Sequence, residues 1–201
     1  EMTSSLVGSE MCIRDRVLAA HGIKSYVFES LRPTPELSFT VRHLHTFAGI
    51  MVTASHNPAP FNGYKVYGED GGQMPPADAD ALTDYIRAIE NPFTVQLADL
   101  EESKASGLIE VIGENVDVEY LKEVKGVNIN QDLINEYGRD MKIVYTPLHG
   151  TGEMLARRAL AQAGFEAVQV VEAQAVPDPD FSTVKSCLLY TSPSPRDSTS
   201  S

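Results

Sequence analysis

A serine and a histidine are adjacent in the segment TASHNPAPFNGYK, residues 53–65. The hydroxyl of Ser55 can act as a nucleophile, while His56 and Lys65 can donate protons or offset negative charge. The apolar run AGIMVT, residues 48–53, leads into this segment and is typical of a strand buried on both faces. A loop that follows a buried strand is held rigidly and exposes its side chains. The pattern therefore indicates a reactive loop around Ser55.

Two dipeptides of this loop, Asn57-Pro58 and Asn62-Gly63, favour turns. They predict a chain that bends back, so that both cationic side chains converge on the serine, while Thr53 and Asn57 shape the loop. A hydroxyl between two cations suits phosphoryl transfer, which requires spreading negative charge to be positioned and neutralised. A serine hydrolase is disfavoured, because the G-x-S-x-G signature is absent and adjacent side chains in extended backbone point to opposite sides.

Composition restricts the classes of protein to which this chain can belong. The 201 residues include 28 Asp and Glu against 16 Lys and Arg, which gives a formal net charge of -12. Such a field repels nucleic acid and anionic membranes, so neither is expected as a partner, whereas local cations can still bind a small anionic substrate. No apolar run approaches the roughly 18 residues that span a bilayer. We therefore expect a cytoplasmic protein.

Strand and helix patterns alternate along the chain. The segment PPADADALTDYIRAIE predicts a helix with Asp78 as its N-cap and an apolar face that should lie on a sheet. That face consists of Leu82, Tyr85, Ile86 and Ile89. Short apolar strands are predicted at SYVFE (25–29), AGIMVT, YKVY (64–67) and LIEVIG (108–113), and a short helix at VDVEYLKEV. The alternation predicts an α/β fold, with a mixed sheet flanked by helices.

A second α/β unit is expected after a polar interval, with a domain boundary near residue 115. KIVYT (142–146), the helix EMLARRALAQAG and VQVV (168–171) form a β-α-β pattern, with Gly164 as the C-terminal cap of the helix. The turn PLHGTG before this helix is glycine-rich, so its backbone amides could hold a phosphate. No Gly-Lys-Ser/Thr sequence follows, which argues against a P-loop, and we interpret His149 as structural.

The two ends differ from the patterned chain between them. Residues 1–16 and 186–201 show no strand or helix periodicity, and we interpret both as non-native tails, with natural disordered tails as the alternative. Cys12 and Cys187 lie in these segments, so the remaining chain needs no disulfide. We therefore expect the chain to be a fragment of a longer protein.

The loop around Ser55 resembles the active-site serine loop of the α-D-phosphohexomutases, the phosphoglucomutase and phosphomannomutase superfamily. The superfamily pattern T-A-S-H-N-P, a short spacer and N-G-x-K matches this chain at every fixed position. KVYGEDGGQ, TPLHGTG and VPDPDFSTVK are similar to the bacterial phosphoglucomutase and phosphopentomutase branch. The resemblance implies that residues 17–114 are the C-terminal part of domain 1, with the serine loop, and that residues 115–185 begin a similar domain 2.

The resemblance also implies a mechanism. Ser55 would be held as a phosphoserine in an isomerase that interconverts sugar 1-phosphate and sugar 6-phosphate, with glucose as the expected sugar and a sugar 1,6-bisphosphate as intermediate. The phosphate on Ser55 would supply an oxygen ligand to Mg2+, a cation that prefers oxygen donors. His56 would be a donor near the transferring group, and Lys65 would neutralise charge and move protons.

Some features of the superfamily have no counterpart in the sequence. They are a T-A-G-x-R-G-like motif before the serine loop, the metal loop D-x-D-x-D-R and the sugar-recognition loop. The remaining Mg2+ ligands are therefore expected outside this polypeptide, and the fragment alone is expected to be inactive. Mannose or a pentose remains open as the sugar. The alternatives to a mutase fragment are a non-catalytic sugar-phosphate-binding paralogue and a degenerate fragment.

Overall fold

The computed structural model describes residues 13–53, 63–178 and 180–184, and this part of the chain is an α/β protein, as predicted. Contacts divide the chain into two units, residues 1–51 with 65–117 and residues 52–64 with 118–201. Every helix among the residues described is too short or too polar to cross a membrane. The helices are α1 (13–20), α2 (Thr34–His43), α3 (Pro76–Arg87), α4 (Leu100–Ala105), α5 (Glu114–Gly126), α6 (Gln131–Tyr137) and α7 (Glu153–Ala163). The strands are β1 (Ser25–Phe28), β2 (Ala48–Val52), β3 (Tyr64–Gly68), β4 (Ile109–Ile112), β5 (Ile143–Tyr145) and β6 (Val168–Val170).

The first unit contains a parallel pair of strands, β1 and β4. Their register runs from Ser25 opposite Ile109 to Phe28 opposite Ile112, and both isoleucines are buried. Helix α5 follows β4 directly and buries Val116 and the side chain of Asp117. Because the strands are parallel, the connection after β1 and the start of α5 after β4 lie at the same edge of this sheet.

A buried group of charges joins these two connections. Arg32, which precedes α2, donates from Nε to Oδ1 of Asp117 and from Nη2 to Oδ2, both at 2.8 Å. The two side chains are 4% and 1% exposed, and Glu36 on α2 is fully buried with Oε2 3.7 Å from the Arg32 Nε. The hydrogen bonds to Asp117 raise the pKa of the Arg32 guanidinium above its already high value. Arg32 therefore ties the start of α2 to the start of α5.

Helix α1 belongs to the first unit through its contact with a later loop. Arg16 and Ala98 exchange two hydrogen bonds, one from the Ala98 N–H to the Arg16 carbonyl at 3.0 Å and one from the Arg16 Nε to the Ala98 carbonyl at 2.7 Å. Asp15 is buried, and this burial raises the pKa of its carboxyl. The helix thus includes residues 13–16, for which the sequence pattern predicted no regular structure; a non-native origin of residues 1–16 stays a prediction.

The second unit contains the predicted β-α-β arrangement. β5 and β6 are parallel, with Ile143 opposite Val168 and Tyr145 opposite Val170, and α7 connects them. Gly164 ends α7 with a φ of 112°, the left-handed conformation that a residue without Cβ adopts readily, so its predicted role as a cap is confirmed.

Helix α3 differs from its prediction. Tyr85, Ile86 and Ile89, which were expected to lie on a sheet, are 77%, 54% and 50% exposed. Asp78 lies in the first turn, and the N-cap is Pro75, so the predicted capping role is wrong. Proline fixes the φ that a helix start requires and lacks an N–H to be satisfied, which explains why no side-chain cap is needed here.

The prediction that β2 is buried on both faces is also wrong. Its residues are half-buried apart from Ala48, which is exposed, and Gly49, which is buried. An apolar run reports the chemistry of the side chains but not the number of layers that cover them, so half-buried and fully buried strands give the same pattern.

We predict that Arg32→Met lowers the free energy of unfolding by about 3–5 kcal/mol, because it leaves the buried carboxylates of Asp117 and Glu36 without their cation. Chemical denaturation of the whole chain measures this change. Arg87→Met is the matched control, since Arg87 pairs with Asp84 at 3.9 Å on the surface and both side chains are about four-fifths exposed. The control should change stability by less than about 0.5 kcal/mol. Equal effects of the two substitutions would contradict the assignment of Arg32 as the cation that stabilises the buried carboxylates.

Candidate functional site

The base of the predicted reactive loop is a strand pair. β2 pairs with β3, and the N–H of Thr53 donates to the carbonyl of Gly63 at 2.8 Å where the pair opens. A Cβ on Gly63 would lie 2.7 Å from the carbonyl oxygen of Thr53, well inside the normal contact distance. Glycine at position 63 is therefore required by the close approach of the two backbones. Thr53 and Gly63 hold the two ends of the segment at a fixed separation, and the loop-shaping role of these residues stays a prediction.

The reactive residues themselves lie outside the described part of the chain. Ser55, His56, Asn57 and Asn62 belong to residues 54–62, so the convergence of the serine with its two cations stays a prediction. Lys65 is described: it is the second residue of β3 and is half-buried. Within the described ranges, no carboxylate forms an ion pair with its ammonium group.

Helix α2 positions the strand that leads into the loop. A Cβ on Gly49 of β2 would lie 2.5 Å from Cγ2 of Val41 and 3.3 Å from Cδ1 of Leu37, and Val41 is 2% exposed. α2 therefore packs directly on the backbone of β2. Since Arg32 fixes the start of α2 to α5, the ion group, α2 and β2 form a continuous support that ends one residue before Thr53.

The sequence analysis did not identify this support. A signal for α2 was present, because Pro33 and Pro35 can begin a helix and Leu37, Val41 and Leu44 recur at helical spacing. No signal showed that Arg32 would be buried, since its carboxylate partner lies 85 positions away in the sequence.

In the glycine-rich turn PLHGTG, three successive backbone amides are bonded to protein groups and are not available to a ligand. The N–H of Leu148 donates to Oγ1 of Thr146 at 3.2 Å, that of His149 to the carbonyl of Gln174 at 2.9 Å, and that of Gly150 to the carbonyl of Pro147 at 2.8 Å. His149 is 8% exposed, and both ring nitrogens are bonded to protein groups. This geometry agrees with the interpretation of His149 as structural and removes the three amides as a phosphate cradle.

No cluster of three or more His, Cys, Asp or Glu side chains in the described ranges could hold a metal ion. These residues therefore do not form a metal site by themselves.

Two family models match the chain in the order of its two α/β units. One is described as phosphoglucomutase/phosphomannomutase, alpha/beta/alpha domain I, and matches residues 11–93. The other, alpha/beta/alpha domain II of the same family, matches residues 118–194. The class defined by these domains and by the serine loop is that of the α-D-phosphohexomutases. The chain belongs to the phosphoglucomutase/phosphomannomutase family.

Curated relatives and a solved structure agree with this assignment. The chain is 40% identical over 171 residues to a phosphoglucomutase of Staphylococcus epidermidis and 38% identical over 168 residues to one of Staphylococcus saprophyticus. These matches cover 85% and 84% of the chain but 30% of each relative. A crystal structure from Thermus thermophilus, provisionally described as a phosphomannomutase, matches with a TM-score of 0.66 and 27% identity over 84% of this chain and 36% of that one. The chain thus spans about a third of the length of these proteins.

We predict that Gly49→Ala destabilises the first unit by about 1–3 kcal/mol, because the new methyl group must displace Val41 from its packed position. Thermal or chemical unfolding measures the change. Gly126→Ala is the matched control, since a Cβ at the end of α5 meets no atom within 4 Å. The control should increase stability by up to about 0.5–1 kcal/mol, because alanine favours helix. Destabilisation by both substitutions alike would argue against close packing of α2 on β2.

The carboxylate of Asp178 generates a further prediction. It accepts hydrogen bonds from the backbone N–H of Ser182 at 2.8 Å and of Asp180 at 3.0 Å, and these bonds lower the pKa of Asp178 below its ordinary value of 3.8. A lowered pKa means that the turn gains stability above the ordinary value and loses it as the pH falls through the lowered value. The amide chemical shift of Ser182 should therefore be constant near neutral pH and titrate with a midpoint below pH 3.8. Asp178→Asn should remove this titration, and a midpoint above 3.8 in the unmodified chain would contradict the assignment.

Proposed function

We propose that this chain is the phosphoserine-containing part of a phosphosugar mutase that interconverts glucose 1-phosphate and glucose 6-phosphate. The observation that supports it most is the complete T-A-S-H-N-P, spacer, N-G-x-K pattern at residues 53–65, on a loop whose ends are held by paired strands. The curated relatives named phosphoglucomutase, at 37–40% identity, favour glucose and the bacterial phosphoglucomutase branch.

In this proposal, Ser55 is the phosphoryl carrier. The P–O bond to its Oγ breaks as the phosphoryl group passes to the free hydroxyl of a sugar monophosphate, whose proton leaves to a base, and a sugar 1,6-bisphosphate results. The bisphosphate then reorients in the site. The Oγ of Ser55 takes the phosphoryl group from the other end of the sugar, and the released sugar oxygen regains a proton. Substrate and product each carry one phosphoryl group, so the reaction consumes no bisphosphate. The bisphosphate is the intermediate, and it is also the activator because it can phosphorylate Ser55.

The cations near the serine serve charge rather than covalent chemistry. Phosphoryl transfer spreads negative charge over the equatorial oxygens, and stabilising that charge supplies most of the catalysis. We assign His56 as a hydrogen-bond donor beside the transferring group and Lys65 as the cation that neutralises it and moves protons. The half-buried position of Lys65 supports this role, because partial removal from water strengthens an electrostatic interaction.

A magnesium ion would be held in part by an oxygen of the Ser55 phosphate, and it would supply charge stabilisation at the transferring group. The remaining ligands are not found in the described part of this chain, where no cluster of acidic or imidazole side chains is arranged for a metal. This chain alone is therefore expected to be inactive. The proposed partner is a small phosphosugar rather than nucleic acid or a membrane, in accord with the net charge of -12. The proposed compartment is the cytoplasm.

The test uses a chimera, in which the matched 171 residues of the S. epidermidis phosphoglucomutase are replaced by the corresponding residues of this chain. We predict that the chimera converts glucose 1-phosphate to glucose 6-phosphate and that Ser55→Ala lowers its kcat on the order of 10^3-fold or more, since the nucleophile is lost. A coupled assay for glucose 6-phosphate and phosphopeptide mapping of residue 55 provide the two measurements.

Ser106→Ala, at an exposed serine outside the loop, is the matched control and should leave activity and residue-55 phosphorylation unchanged. Full activity of the Ser55→Ala chimera would refute the phosphoserine assignment. A folded but inactive chimera that still binds sugar phosphate would instead favour the non-catalytic paralogue.

A further inference from the structure

In the second unit, the segment that follows β6 contacts the loop between β5 and α7, residues 146–152. We call residues 174–178 and 180–184 the return segment. It meets the loop through the carbonyl of Gln174, which accepts from the His149 N–H at 2.9 Å, and through Phe181, whose ring lies edge-on to the His149 imidazole with centroids 6.2 Å apart. His149 is thus in contact with both ends of the return segment.

Side-chain hydrogen bonds join the same two parts of the chain. Oγ1 of Thr146 donates to Oε1 of Gln174 at 2.6 Å, and Nε2 of Gln174 donates to Oγ1 of Thr183 at 3.1 Å. The imidazole of His149 lies at the end of this series, with Nε2 2.7 Å from Oγ1 of Thr183 and Nδ1 2.9 Å from the carbonyl oxygen of Val176.

The partners determine where the proton of His149 resides. The carbonyl of Val176 can only accept, so Nδ1 must donate to it. The hydroxyl of Thr183 accepts from Gln174 and has one hydrogen of its own, which it can donate to Nε2. A neutral imidazole with its hydrogen on Nδ1 therefore gives every group in the series a partner of the correct kind.

The backbone at this point shows why the contact matters. Leu148 and His149 both have positive φ values, of 49° and 62°, which are unfavourable for residues with a Cβ and need support from the surrounding structure. The N–H groups of both residues are bonded, one within the loop and one to the return segment. The conformation of the loop and the position of the return segment thus depend on each other.

We infer that His149 is a positioning residue which, as the Nδ1–H tautomer, latches the return segment to the loop between β5 and α7. The bond from Thr183 is the part of the latch that opens most easily, because Thr183 is exposed, whereas His149 is buried. Opening this bond frees residues 180–184 without disturbing β5, α7 or β6. The loop then acts as a latch and not as a phosphate cradle. This inference does not depend on the proposed mutase activity.

The first experiment measures the tautomer directly. In the whole chain labelled with 15N on histidine, two-bond nitrogen–proton correlations at neutral pH identify which ring nitrogen of His149 carries the hydrogen. We expect a protonated Nδ1 and an unprotonated Nε2 for His149. Exposed His21 serves as an internal reference for the labelling. An Nε2–H tautomer at His149 would overturn the inference.

The second experiment measures the latch by hydrogen–deuterium exchange. Thr183→Val removes the bridging hydroxyl with little change in shape. It should increase exchange of the Phe181 and Val184 amides roughly two- to tenfold, the range expected for one neutral hydrogen bond, and leave exchange in α7 unchanged. Thr151→Val is the matched control, because the Thr151 hydroxyl makes no hydrogen bond with the described part of the return segment, and it should have no effect.

Two results of these exchange measurements would refute the latch. One is unchanged exchange at Phe181 and Val184 in the Thr183→Val chain. The other is an equal increase in α7, which would show that the substitution loosens the whole unit. As a third arm, inorganic phosphate should not shift the amide resonances of residues 148–150. A saturable shift of these resonances would favour the phosphate cradle and overturn the inference as well.

Discussion

The bidentate ion pair between Arg32 and Asp117 is the interaction on which the supports of the candidate site depend. Taking two charges out of water is costly, and a well-packed apolar pair of similar volume often gives equal or greater stability. The pair therefore fixes the relative orientation of the elements that it joins more than it contributes net stability. A guanidinium with two parallel N–H···O bonds fixes both the distance and the plane of its partner, which an apolar contact cannot do.

The orientation that this pair fixes determines the positions of α2 and, through it, of β2. Arg32 stands at the start of α2, and its partner Asp117 stands in the first turn of α5. Helix α2 in turn packs on Gly49, where the missing Cβ allows the helix to approach the backbone of β2 closely. A glycine in the interior of a strand weakens the strand in itself, so its presence here is explained by this approach and not by strand propensity. The position of β2 is thereby set by the Arg32–Asp117 ion pair and by the packing of α2 on Gly49.

The parts of the fold that the sequence predicted correctly are those with a local cause. Strands β1 and β4 and the β5-α7-β6 unit follow from apolar runs between turn residues, and Gly164 follows from the backbone angle that a helix end requires. Two of the failures have non-local causes. The apolar face of α3 was predicted to be covered because amphipathicity indicates that a face can be buried, but not that another element lies against it. The buried Arg32 could not be inferred, because nothing near it in the sequence indicates its partner.

The candidate site shows the same division. The types and spacing of Ser55, His56 and Lys65 predict a phosphoryl-transfer loop, because this chemistry needs a nucleophile and cations within one loop, and their roles stay a prediction. What the sequence could not supply is the reason that the loop has fixed ends. The Thr53–Gly63 hydrogen bond gives that reason: it joins two backbones that approach so closely that position 63 excludes a side chain.

This constraint also bears on the proposed function, in which an acidic chain would have to bind an anionic sugar phosphate. With a net charge of -12, the long-range field opposes binding of a phosphate ester, so attraction must come from cations held within a few ångströms of it. A cation on a flexible segment would spend much of its time in solvent, where the interaction is screened. Lys65 lies two residues after Gly63 and on a strand that pairs with β2, so the position of its backbone is fixed. On the proposed function, the pairing of β3 with β2 is therefore a physical requirement, because only a preorganised cation can outweigh the unfavourable charge of the whole chain.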